Sequence, residues 1–357
     1  MVAPCDGPAP ADRSRLLASV IITALAVVQL AVGGLPARAD NGPVTRVSLS
    51  AAKNFYPPST TMIVSTSLTL LAGESRHVRG RLQATSSMTQ IAALTVLVKC
   101  VGSGGAQVGV AGATARNHEG SDTTYYAIPG HLPLYADLLF TAPVAGTYTC
   151  GVYAYTASSA SSTYHLTAVA GGSTFIEISN TNQVGSRWWQ NPPCNSTGTS
   201  STCTYLGAGT APEWVFYSDG TPVYQWTAAS DATAVQALAN VTVTTCYVGT
   251  GSCDTTGQLP RGTNAVVDFR FEVIQLDPTA HTCRITATTT SRRSIRDDAH
   301  HYAVFLALPS IPIDASCGTR RFIMRVFVDH VSGNPIKIDG VQGTTALTHG
   351  IAMNLFG

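Results

Sequence analysis

At 357 residues the chain is long enough for two ordinary domains or one large β domain. Asp, Glu, Lys and Arg make up only 11% of it, against roughly 25% in soluble domains generally, while hydrophobic residues reach 45%. A net charge of +1, with no basic cluster beyond Arg292-Arg293 and Arg320-Arg321, excludes sequence-independent nucleic-acid binding and leaves Ser, Thr, Asn, Gln and Gly to supply the polar surface.

Along the chain, Arg13 and Arg15 precede an apolar run over 16–35, and Ala37-Arg38-Ala39 has the form of a signal-peptidase site. The expected arrangement is a signal helix over 1–39, cut before Asp40, and a secreted mature protein. An uncleaved anchor over residues 16–35 is the alternative, and the only route by which the chain would meet a membrane. Gln29, the Gly33-Gly34 break and the Ala-Arg-Ala site favour cleavage. Eight cysteines follow: Cys100, Cys150, Cys194, Cys203, Cys246, Cys253, Cys283 and Cys317. An even set in an oxidising compartment reads as disulfides, and the lack of any C-x-x-C argues against a zinc ribbon or a redox site.

After residue 39 the runs are short, rich in Thr, Val, Tyr and Phe, and alternate with period two between Gly, Ser, Asn and Pro breaks. "LTVLVKC" (94–100), "TYTCGVYAY" (147–155), "TYHLTAV" (163–169), "TCRITATT" (282–289), "HYAVFLAL" (301–308) and "RFIMRVFV" (321–328) all read as strands. The clearest is "VVDFRFEV" (266–273), in which Val267, Phe269, Phe271 and Val273 share one face and Asp268, Arg270 and Glu272 the other. That is an antiparallel strand with one wet side. Short helical turns are expected only at 86–94 and 231–240. The fold class is all-β.

The sequence also repeats. "QIAALTVLVKCVGSGG" (90–105) resembles "QALANVTVTTCYVGTGS" (236–252), and "LLFTAPVAGTYTC" (138–150) resembles "VIQLDPTAHTC" (273–283). "GGSTFIEI" (171–178) likewise answers "SGNPIKI" (332–338). The reading is two tandem, disulfide-stapled antiparallel β-sandwich domains, 40–182 and 183–357.

Cys100 and Cys150 are the only cysteines of the first half, so they pair if that domain is self-contained. Each lies in an alternating run with apolar partners (Leu94, Val96 and Val98; Tyr148 and Val152), and two inward cysteines on facing sheets would form an inter-sheet staple. Strand–Cys, a spacer, then Gly146-Thr147-Tyr148-Thr149-Cys150 resembles the B and F strands of immunoglobulin-like domains, with Tyr148 at the tyrosine-corner position. Residues 101–149 depart from that pattern in holding no tryptophan, and His281 replaces the tyrosine in the second copy. The resemblance implies a fold and no function. Analogy between the copies pairs Cys246 with Cys283, leaving Cys253 with Cys317 and Cys194 with Cys203. This favoured arrangement needs a bulge, because Val241 and Val243 share a face that Cys246 leaves by parity. In the other arrangement "CYVGTGSC" closes on itself and Cys283 takes Cys317.

All four tryptophans lie between 188 and 226. In an extended "RWWQ", Trp188 and Trp189 point to opposite faces, so one of them meets solvent or another domain. Trp188, Trp189, Trp214 and Tyr217 are therefore the binding candidates, suited to stacking on sugar rings or to a surface-protein contact; the bland alternative has them filling the domain junction. "RDDAHHY" (296–302) gathers Asp297, Asp298, His300 and His301 but reads as a polar turn, so no metal is assigned. Asn195 and Asn240 open N-x-Thr sequons. There is no G-x-S-x-G, H-E-x-x-H, P-loop or dinucleotide fingerprint. No catalytic residue and no cofactor are expected. The function expected is glycan or surface-protein binding, or a structural role. The alternative is a secreted hydrolase of unrecognised family, for which Glu213 with Asp219 is the one carboxylate pair near the aromatics.

Overall fold

The structure, a computed structural model, describes residues 43–87, 90–119, 132–156, 163–189, 204–215, 224–250, 253, 255–297, 301–342 and 345–356. The segment 1–39 and the Cys194–Cys203 pair lie outside them. Among the described residues every regular element is a strand, save one 3-10 turn at Ala315–Cys317. The first part of the chain supplies β1 (Val44–Leu49), β2 (Lys53–Phe55), β3 (Thr60–Leu70), β4 (Ser75–Ser86), β5 (Gln90–Gly102), β6 (Gln107–Glu119), β7 (Leu132–Thr141), β8 (Gly146–Tyr155), β9 (Leu166–Ala168) and β10 (Gly171–Ser179). The second part begins with β11 (Gly185–Trp189), β12 (Tyr205–Leu206), β13 (Glu213–Val215), β14 (Tyr224–Thr227), β15 (Ala234–Thr245), β16 (Ala265–Leu276) and β17 (Thr282–Ile295). It continues with β18 (Tyr302–Pro312), β19 (Arg321–Gly333), β20 (Ile336–Asp339), β21 (Val341–Gln342), β22 (Thr345–Ala346) and β23 (His349–Leu355).

The helical turns expected at 86–94 and 231–240 give way to β5 and β15. Their alanines, leucines and glutamines suit a helix locally, but Val235, Ala237 and Ala239 each bury on one side of the pleat, and packing overrides propensity.

Four main sheets form. Sheet A runs β1-β10-β4-β9-β2, with β7 also on β4, and sheet B runs β3-β8-β5-β6. Sheet C runs β11-β23-β15-β20-β12, with β18 also on β15, and sheet D runs β13-β19-β16-β17, with β14 also on β19. The two sets match strand for strand in chain order: β11 stands for β1, β12 for β2, β13 and β14 together for β3, β15 for β4, β16 for β5, β17 for β6, β18 for β7, β19 for β8, β20 for β9 and β23 for β10. The repetition lies in the topology, displaced by one or two strands from the alignment that the sequence suggests. That alignment matched β5 with β15, whereas their positions in the sheets match β5 with β16.

One buried cluster takes Val78, Leu82, Leu134 and Leu138 from sheet A and Ile63, Val96, Val98 and Val152 from sheet B. A second takes Val235, Val241, Val304 and Ile338 from sheet C and Phe269, Phe271, Phe322 and Val326 from sheet D. Sheets A and B lie close together at Gly80 on β4, where an added Cβ would lie 2.5 Å from one Val98 methyl and 2.9 Å from one of Val152. The edge strands have different fates. Among the described residues each pairs with one strand, β6 with β5 and β17 with β16, but β6 lies against β18 and β22 of the other half, whereas β17 lies against β18 of its own half.

Cys100 pairs with Cys150, but not across facing sheets as expected. The two stand directly opposite on neighbouring strands β5 and β8 of sheet B, with Cα atoms 4.0 Å apart. Inward parity holds for two strands of one sheet as readily as for two opposed sheets, so the alternation did not separate the cases. Tyr148 closes the corner, its hydroxyl donating to the Val144 carbonyl at 2.5 Å while its ring meets Phe140 edge-on at 5.0 Å. In the second half Cys246 pairs with Cys253 and Cys283 with Cys317, correcting the favoured arrangement. The bulge which that arrangement required is absent: β15 keeps regular register with β20 from Thr242 to Thr245. Cys246 follows a strand of sheet C and Cys283 lies on the edge strand of sheet D. Cysteines at unlike positions in the two halves are what slid the sequence alignment, by one strand at Cys246 and by two at Cys283.

Candidate functional site

The aromatic segment builds edges. Trp188 and Trp189 on β11 pair with Gly350 and His349 at the rim of sheet C, and Trp214 on β13 pairs with Phe327 at the rim of sheet D. Trp226 on β14 is core, buried with its ring 5.8 Å from Phe322. Tyr217 and Asp219 lie outside the described residues.

The first half carries a groove between β1 and β10 of sheet A and β3 of sheet B, about 200 Å³ in volume. Thr45, Thr66, Leu70, Arg76, Ile178 and Asn180 line it. Arg76 stands opposite Phe140 across β4 and β7, which turns it toward the sandwich interior, and its side chain is only 12% exposed. One guanidinium nitrogen donates to the Ser75 carbonyl at 3.0 Å, and the Glu74 carboxylate stays 3.6 Å away. Thr45 donates to the Asn180 side-chain oxygen at 2.7 Å. Outside the groove, hydroxyl pairs Ser67–Thr149 and Thr69–Thr147, each at 3.1 Å, run along the exposed face of β3 and β8. Sequence reasoning passed over this groove. Its signal was Arg76 sharing the parity of Val78 and Leu82, a charge on the buried side of an alternating strand.

The outer faces of sheets A and C meet in a seam. Leu139 packs with Leu238, Ile351 and Met353, the Tyr135 ring lies edge-on to Phe305 at 5.2 Å, and the Asn240 amide donates to the Gly112 carbonyl at 3.2 Å. Asn240 is therefore buried, which removes its sequon from the surface of the folded protein. Sheet A brings a ladder of alternating charge, in which Arg46, Glu177, Arg79 and Asp137 are cross-strand neighbours on β1, β10, β4 and β7. Arg46 donates to Glu177 at 2.6 Å and Arg79 to Asp137 at 2.7 Å, and the His77 ring nitrogen lies 2.8 Å from the same Asp137 oxygen. Burial alone pushes the Asp137 carboxyl upward, but Arg79 and His77 outweigh it and hold the group well below the usual carboxylate range.

Sheet C has its own buried cluster. Thr244 donates to Asp339 at 2.7 Å, the His301 ring nitrogen lies 2.9 Å from the same oxygen, and the Lys337 ammonium is 3.4 Å from the other. Burial again pushes the Asp339 carboxyl up, and attraction to His301 and Lys337, with the hydrogen bonds from His301 and Thr244, brings it below its ordinary value. His301, Lys337 and Asp339 are at most 1% exposed, so they fasten structure and offer no route to a substrate. His301 is thereby separated from Asp297, which accepts the Gly262 amide at 2.8 Å. Asp298 and His300 lie outside the described residues, among which no three His, Cys, Asp or Glu side chains gather as metal ligands.

No family model matches the chain, and no curated protein matches it. Among solved structures it is similar to a peptide-N(4)-(N-acetyl-β-D-glucosaminyl) asparagine amidase, at 8% identity and a TM-score of 0.37, covering 88% of this chain and 97% of that one. It is also similar to the N-terminal tandem CBM22 domains of Paenibacillus barcinonensis Xyn10C, at 11% identity and a TM-score of 0.22, covering 87% and 99%. A third is the stem and receptor-binding domain of a spike protein from bacteriophage PM2, at 10% identity and a TM-score of 0.20, covering 84% and 99%. Likenesses this slight carry no argument about function.

Proposed function

We propose that this chain is a secreted binding protein of two tandem β-sandwiches, 40–182 and 183–357, which holds a glycan or a surface protein at the open side of the second sandwich, between β11 and the β13–β14 pair. One observation carries the reading. β11 and β13, the strands of Trp188, Trp189 and Trp214, occupy in sheets C and D the positions that β1 and β3 occupy in sheets A and B, where the groove of the first half lies. Tyr217 comes two residues after the end of β13 in the sequence. Aromatic rings at an open sandwich side suit stacking on sugar faces. Three disulfides agree with an oxidising compartment, and among the described residues no helix is long and apolar enough to cross a membrane.

The test is titration of the full chain against a glycan panel, with Trp188→Ala, Trp189→Ala, Trp214→Ala and Tyr217→Ala compared by circular dichroism for intact folding. The expected result is a loss of about tenfold or more in affinity for at least one tryptophan variant, about 1.4 kcal/mol at the stacking contact. Binding unchanged in all four variants would refute the assignment.

A further inference from the structure

We propose that the groove of the first half is a separate binding site for a carboxylate-bearing sugar, with Arg76 as its anchor. This rests on the first half alone and stands apart from the reading of the second. An arginine whose side chain is 12% exposed has lost most of its hydration, and burying a guanidinium is costly unless a close partner restores the balance. The partners present restore it in part. The Ser75 carbonyl is neutral, and the Glu74 carboxylate, whose other oxygen accepts the Leu71 amide at 2.7 Å, pairs with Arg76 through a single contact of 3.6 Å, longer than a hydrogen bond and on one nitrogen of the fork. A guanidinium carries five donors in a planar fork, and the group that matches the fork is a carboxylate held bidentately.

The surroundings narrow the ligand further. Thr66 and Asn180 offer hydroxyl and amide groups that both give and accept hydrogen bonds, and Thr45, whose proton goes to Asn180, accepts, as a polyol requires. Leu70 and Ile178 supply an apolar wall for the C–H face of a ring. At about 200 Å³ the groove is smaller than the roughly 300–1,000 Å³ of drug-sized pockets and suits one ring rather than an oligosaccharide. Among the described lining residues Arg76 is the one basic side chain, so the groove offers one bidentate seat for a carboxylate, which would share the guanidinium with Glu74 at 3.6 Å. A uronic acid combines these features: one carboxylate, several hydroxyls and one ring.

The experiment is calorimetric or saturation-transfer titration of the full chain with glucuronate, with glucuronamide and glucose as neutral counterparts of the same shape. Saturable glucuronate binding is expected, with both neutral sugars at least tenfold weaker. Arg76→Gln is expected to weaken glucuronate at least tenfold and Arg76→Lys to retain part of the affinity. Should Arg76→Gln not fold, Thr66→Val, which keeps the side-chain shape and deletes a hydroxyl, is expected to lower affinity several-fold. A glucuronate-terminated disaccharide binds no more tightly than the monomer if the free acid is the ligand, and more tightly if the ligand is the end of an acidic glycan. Equal binding of glucuronamide, full affinity in Arg76→Gln, or no saturable glucuronate binding by the parent chain would each overturn the proposal.

Discussion

Asp137 illustrates how a buried acid earns its place through its neighbours. The arginine and histidine beside it, both on β4, keep its folded-state pKa below that of an unfolded aspartate, about 3.9. The sign follows directly. A depressed pKa contributes stability that is fully present above the unfolded value and drains away as pH falls through the folded one. Asp137→Asn is therefore expected to destabilise the protein by about 3–5 kcal/mol near neutral pH, since it leaves Arg79 without its carboxylate. Urea unfolding checks this, and the stability of the variant should change less than that of the parent between pH 5 and pH 2. None of this was legible in the sequence. Alternation shows which way Arg79 and Asp137 point, but 58 residues separate them, and only the β4–β7 register makes them neighbours.

At the scale of the element the sequence spoke more clearly. The two faces read from "VVDFRFEV" are those of β16: Val267, Phe269, Phe271 and Val273 are buried, Asp268 takes Arg292 at 2.7 Å and Glu272 takes Arg325 at 2.6 Å. Period two fixes a face because a core on one side of a pleat admits apolar residues alone. It does not fix a neighbour, so the cysteine pairs of the second half, and the sheet to which each cysteine belongs, stayed open until the strand order was known. The bonds differ in expected worth. In the chain-entropy model the Cys100–Cys150 bond, closing 50 residues, contributes about 4 kcal/mol, whereas Cys246–Cys253, closing 7, contributes about 2.4 kcal/mol. Replacing each pair by alanines and measuring urea unfolding should reproduce that order. Gly80 has a role of the same scale: Gly80→Ala is expected to cost about 1–3 kcal/mol in a thermal melt, because sheet B leaves no room for a methyl group.

For the molecule as a whole, the seam decides whether the two halves unfold together. Its apolar part is small (Leu139, Leu238, Ile351 and Met353), and Leu238→Asp sets an uncompensated charge within it. Calorimetry should show one thermal transition for the parent and two for that variant, while far-UV circular dichroism of the variant at room temperature matches that of the parent. A single transition at the parent's temperature would mean that the halves are coupled elsewhere. The seam escaped the sequence because polar outward positions such as His77, Asn240 and Thr244 look like solvated faces until a second sheet covers them. The repeat also leaves an inequality between its copies. β6 lies in the seam, whereas its counterpart β17, a 14-residue strand, has among the described residues one strand partner, β16, and touches β18 of its own half; an unpaired strand edge is the kind of template on which strands from other molecules stack. Arg284, Arg292 and Arg293 lie on that run, Arg284 paired with Asp314 at 2.8 Å and Arg292 with Asp268 at 2.6 Å. Cationic side chains along an open rim are a device by which sheet proteins discourage edge-to-edge stacking.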